Sequence, residues 1–162
     1  MSLSQNQRIT ALEAGSGSGS GSGSAPAASE FIGGKFYMSG LAALTIFQSG
    51  VTIGFNTVDY NLGGGTFDAA TSVYTIPTDG VYMFIVRLAL SNTSTQSISI
   101  GLYLDDQLSN PLYRNGKLSG NSENLITTHN CTAGQRFRVR VATGPVTVET
   151  ARPWSEFIVT KM

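Results

Sequence analysis

From Lys35 onward, apolar and polar residues alternate with a period of two along most of the chain. A helix would repeat near 3.6, so this spacing predicts strands. Ile98, Ile100, Leu102 and Leu104 interleave with Ser97, Ser99, Gly101 and Tyr103, which predicts a half-exposed strand turning at Asp105-Asp106. Leu125, Thr127, His129 and Cys131 share one face of another strand, and Phe137, Val139 and Val141 alternate with three arginines in a third. Turn signals separate the runs: Gln48-Ser49-Gly50, Pro77–Gly80, Asn115-Gly116 and Gly144-Pro145. Phe36–Phe47 reads as one or two strands broken at Gly40, Val51–Asn61 as the next, and a short strand lies around Tyr74. Val146–Thr150 follows the Gly144 turn, and Pro153–Met162 closes the domain with Trp154, Phe157, Ile158 and Val159.

One strand breaks the rule. In Val81–Leu90, Tyr82, Phe84, Val86, Leu88 and Leu90 fall on one side, while Val81, Met83, Ile85 and Ala89 fall on the other, with Arg87 the one charge. An antiparallel strand with one wet face alternates apolar with polar. Two apolar faces predict two burials, one in the chain's own core and one against something else. A second copy of the chain is the expected occupant.

The first 34 residues have a different grammar. In Met1–Ala14, Ser4 and Gln7 stand at capping-box spacing, and Ile9 and Leu12 share a helical face. With Leu3, they are the expected contacts of a short helical or extended anchor peptide. Gly15–Ser24 repeats Gly-Ser five times and runs on through Ala25-Pro26-Ala27-Ala28. A period of two is not the collagen period of three. The repeat should behave as a flexible tether of roughly 16–19 Å average span, whether natural or engineered. The expected organisation is therefore an anchor over 1–14, a linker over 15–34 and a β head over 35–162.

The stretch from Phe55 to Phe84 carries a longer pattern: Phe55, Asn61, a Gly-rich loop at Gly63–Gly65, Phe67, then Gly80, Tyr82 and Phe84. It resembles the globular head shared by complement C1q and, more distantly, tumour necrosis factor. It departs from that signature by one extra residue before Phe67, by Tyr74 in place of Phe and by Val86 in place of the last aromatic. Gly134–Val141 and Pro153–Val159 look like the family's last two strands. The resemblance implies a ten-stranded antiparallel jelly-roll sandwich that assembles as a homotrimer. Phe55, Tyr82, Phe84, Val86, Leu88, Trp154 and Phe157 would then form its core and trimer interface.

Charge and chemistry narrow the function. Only 12% of residues are charged and the formal net charge is zero, which argues against sequence-blind binding to nucleic acid or an anionic membrane. No apolar run approaches a membrane span, and the opening lacks the basic and apolar regions of a signal peptide. A single cysteine excludes an intrachain disulfide framework. His129 and Cys131 lie two apart without a second His, a second Cys or an ordered acid, so packing is expected of them rather than catalysis or metal binding. Some relatives bind calcium, but Asp105-Asp106 has no further acids nearby and reads as a turn. Arg136, Arg138 and Arg140 line one strand face and are the candidate patch for an anionic ligand, against the simpler reading of a solvated edge.

No catalytic constellation and no cofactor are expected. The expected function is structural: a phage virion protein, in which a trimeric head decorates or cements the capsid and docks on the major capsid protein, or another virion protein, by its N-terminal peptide. The opening QRITALEA (Gln7–Ala14) resembles segments of phage structural proteins, and the implied location is the virion, assembled in the host cytoplasm. The alternative is the receptor-binding tip of a tail or head fibre that grips host surface glycan. A secreted cytokine-like or complement-like ligand is a third option, weakened by the missing signal segment and collagen stalk.

Overall fold

The computed structural model describes residues 30–39, 44–90, 99–114, 122–149 and 155–162. The anchor peptide with Leu3, Ile9 and Leu12, the Gly-Ser repeat, the Asn115-Gly116 turn and Trp154 lie outside them. Twelve strands are described: β1 Gly33–Tyr37, β2 Leu44–Gln48, β3 Thr57–Leu62, β4 Thr66–Asp68, β5 Val73–Thr75 and β6 Gly80–Ala89. They continue as β7 Ser99–Leu104, β8 Tyr113–Arg114, β9 Ser122–Cys131, β10 Arg136–Thr143, β11 Pro145–Glu149 and β12 Glu156–Lys161. No helix occurs among the described residues.

Ten of these strands form two five-stranded antiparallel sheets, ordered β3-β1-β12-β6-β9 and β4-β5-β10-β7-β8. Neighbours in each sheet are mostly distant in sequence, as a jelly roll requires. This is the expected ten-stranded sandwich, with one addition. β2 and β11 pair as a separate ribbon that an isolated Leu90–Val148 bridge ties to the end of β6. Phe47, Val146 and Val148 carry the ribbon's buried side into the core.

Alternation decides which side chains meet between the sheets. Tyr82, Phe84, Val86 and Leu88 of β6 face Phe137, Val139 and Val141 of β10, all essentially without solvent contact. The Phe84 and Phe137 rings pack 4.8 Å apart across the sandwich, and Phe36 of β1 stacks on Phe67 of β4 at 3.8 Å. Aromatic burial on this scale is the main force holding the sheets together. The Tyr82 hydroxyl donates to the Thr78 carbonyl at 2.9 Å, so a buried ring also pins the turn before its strand. In that turn Gly80 takes φ +148°, a backbone region that disfavours side chains, as the sequence led one to expect. Gly65 is glycine for a different reason. The Tyr74 hydroxyl fills the space where its Cβ would stand.

Two boundaries differ from the sequence reading. β1 starts at Gly33, inside the expected linker, because Gly33 and Gly34 already pair with Thr160 and Val159 of β12. The run Val51–Asn61 is not one strand. Val51 and Ile53 bond through their backbone to Val141 and Val139 of β10 around an isolated Thr52–Arg140 bridge, and a named strand begins only at Thr57. Ile53 and Phe55 are both fully buried, as their alternation predicted.

Candidate functional site

The residues expected to serve core and interface together fall on one side only. Phe55, Tyr82, Phe84, Val86, Leu88 and Phe157 all point between the sheets. The face that sheet β3-β1-β12-β6-β9 turns outward is built from the intervening positions. Its strand register aligns Lys35, Ile158, Ile85 and Ile126 in one cross-strand row, with Thr160, Met83 and Thr128 on one side of it. On the other side runs Tyr37, Glu156, Arg87 and Asn124. Ile126 is 65% exposed and Val81 45% exposed, while Met83, Ile85 and Ile158 are half-buried. On a single chain this isoleucine row is left open to solvent.

Ion pairs border that row. Glu156, 6% exposed, receives Arg87 at 2.7 Å and Lys35 at 3.1 Å, and Lys35 also reaches Asp59 at 3.6 Å. The hydrogen bond to Glu156 is the chief cause holding the Lys35 ammonium above its ordinary pKa. Sequence reasoning missed this cluster, since its members lie on four strands far apart in the chain.

The arginine strand is more occupied than its pattern suggested. Arg136 and Arg138 bind opposite oxygens of Asp105, Arg136 at 2.9 Å. Arg140 donates to the carbonyls of Leu108, at 2.6 Å, and Gly50, and its guanidinium lies 5.3 Å from the centre of the Tyr103 ring. Burial and the neighbouring Arg140 charge push the Arg138 pKa down. Only Arg136 keeps a half-exposed side chain. Asp105, read as a turn residue, is the partner that binds two of the three guanidinium groups.

His129 and Cys131 take packing positions. The imidazole sits edge-on to the rings of Tyr113 and Phe137, about 6 Å from each. Cys131 is buried, and desolvation pushes its thiol pKa up to about 12. A nucleophilic cysteine needs the opposite shift. Among the described residues no three His, Cys, Asp or Glu side chains gather in a metal-binding group.

Comparison with known proteins agrees with this architecture. Among solved structures, the Eiger TNF of S. frugiperda is 17% identical with a TM-score of 0.64, over 82% of this chain and 93% of that one. Pika GITRL is 12% identical with a TM-score of 0.54, over 82% of this chain and 96% of that one. At such identities the likeness is one of fold. No curated protein matches the chain. The C1q domain pattern matches residues 35–130, more than half of the sequence and the part that holds the Phe55–Phe84 signature, so the chain belongs to the C1q domain family.

Proposed function

We propose that the chain is the subunit of a homotrimeric, non-catalytic head that decorates a phage capsid. The observation that carries the assembly is the outward isoleucine row Ile158–Ile85–Ile126, flanked by Val81 and Met83, on a sheet whose other face is already filled. Copies of the chain cover one another there, and the Lys35–Glu156–Arg87 cluster borders the seam. C1q-like domains typically act as binding or structural modules, which agrees with this role.

The particle role draws on the N-terminal segment. A Gly-Ser tether works only when both of its ends are attached, and one end is the β head. The peptide carrying Leu3, Ile9 and Leu12 offers little apolar surface for a single contact. Three tethered copies raise its avidity through effective concentrations of about millimolar order. A capsid position of matching symmetry, on the major capsid protein or a neighbouring virion protein, is the partner.

Two measurements test the two halves separately. Light scattering of the full chain at micromolar concentration should report a trimer, and a monodisperse monomer would end the assembly reading. A head starting at Ala25 should trimerise and melt like the full chain yet fail to bind particles. Full occupancy by the truncated head would place docking on the β domain instead.

A further inference from the structure

A cleft of about 650 Å³ opens at one end of the sandwich, between Asp105–Gln107 after β7 and the Thr132–Gln135 turn that joins β9 to β10. Its walls are fixed by the chain's own bonds. The Thr132 amide donates to Gln135 Oε1 at 2.9 Å, the Ala133 amide to the Asp79 carboxylate at 2.7 Å and the Gly134 amide to the Ile76 carbonyl at 2.9 Å. Arg136 and Arg138 clamp Asp105 from two sides.

What those bonds leave unused defines the chemistry of the cleft. With its oxygen already accepting from the Thr132 amide, the Gln135 amide presents its NH2 end as a donor. The exposed Asp106 carboxylate has no hydrogen-bond or ion-pair partner among the described residues and is an acceptor. Arg136, half-exposed, has further N–H groups beyond the one that Asp105 takes. Leu104 adds an apolar patch.

Charge then sorts the ligand classes. Arg136 and Arg138 answer Asp105 and Asp106, and the third carboxylate at the walls, Asp79, is taken up by the Ala133 amide, so there is no cationic excess for a phosphate or carboxylate and, among the described residues, no acidic cluster for a cation. Donors and acceptors that line one cleft beside a small apolar surface fit a ligand that offers both roles from adjacent atoms. Vicinal hydroxyl groups do so. We propose that this cleft binds a neutral saccharide, with Asp106 accepting from hydroxyl groups while Gln135 and Arg136 donate to hydroxyl or ring oxygens. The site lies within one chain and stands independently of the trimer; on a trimer, three such clefts would strengthen weak single-site binding.

The test is an amide-resolved titration of the isotope-labelled full chain with methyl glycosides of neutral hexoses and N-acetylhexosamines. Shifts should concentrate at residues 105–107 and 132–136 and saturate in the millimolar range. Asp106→Asn and Gln135→Glu keep the shape of each side chain, and the second retains the acceptor for Thr132. Each should weaken binding by about tenfold or more while leaving the melting temperature in place. Absence of shifts across the glycoside panel would overturn the proposal. So would tighter binding of N-acetylneuraminic acid or inorganic sulfate, which would mark an anion site, or shifts that both substitutions leave untouched.

Discussion

Arg87 on β6 and Glu156 on β12 stand directly opposite each other, with guanidinium Nη1 2.7 Å from carboxylate Oε1, on the face that the sandwich turns outward. Two residues along the same strands, Ile85 faces Ile158. The pair and the isoleucines therefore belong to one surface, and a substitution there should affect assembly before it affects the fold. Ile85→Asp combined with Ile126→Asp should convert the proposed trimer to monomers that keep their β-sheet circular dichroism. An assembly that tolerates both charges in light scattering would place the subunit contact elsewhere.

Core substitutions on the same strand should behave in the opposite way. Phe84→Ser removes a ring that packs on Phe137 and Phe157 and should destabilise the fold by about 3–5 kcal/mol. Tyr82→Phe loses the hydroxyl's hydrogen bonds to the Thr78 carbonyl and to the Thr78 side chain, keeps the ring, and should cost about 0.5–1.5 kcal/mol. Urea melts at fixed protein concentration separate the two.

Because Asp105 serves two guanidinium groups, Asp105→Asn should destabilise the head by about 1–3 kcal/mol, discounted for the half-exposed Arg136 side chain. Replacing Arg136, Arg138 and Arg140 together with Gln should lower the melting temperature and leave adhesion to anionic surfaces at low salt unchanged. Loss of adhesion with unchanged melting would restore the arginines as a ligand patch.

Alkali should weaken the fold. Desolvation holds the Cys131 and Tyr74 protons to about pH 12, against ordinary values of 9.0 and 10.0 in an open chain. Between those limits the unfolded chain binds fewer protons than the folded one, so stability is whole below about pH 9 and falls as pH rises toward 12. Cys131 should also resist thiol-disulfide reagents at pH 8 until the protein is unfolded. Rapid labelling of the native protein would contradict its burial.

The core could be read from the chain because burial leaves a local trace. Alternation at Tyr82, Phe84, Val86 and Leu88, and at Phe137, Val139 and Val141, marked the inward faces directly. The outward face could be read from β6 alone only in part. Its neighbours β9 and β12 bring Thr128, Asn124 and Glu156 alongside Met83 and Arg87, so the surface is a mosaic whose composition depends on register. Pairing across the sequence was beyond reach for the same reason. Nothing local links Asp105 to Arg138, 33 positions later, or Lys35 to Glu156. The Gly33–Gly34 start of β1 was hidden because two glycines beside a Gly-Ser repeat look like more linker.

β1 and β12 lie side by side near the middle of one sheet and run in opposite directions, with Gly33 opposite Thr160. The chain thus enters and leaves the head at the same pole, where Met162 bonds to Val81 and the Thr132–Gln135 turn also lies. Cargo fused after Met162 would emerge beside Gly33 and crowd the approach to the cleft. The Gln48–Gly50 and Thr143–Pro145 turns mark the other pole. A peptide spliced in at Gly144 would be displayed there, at the far end of the head from Gly33 and the cleft.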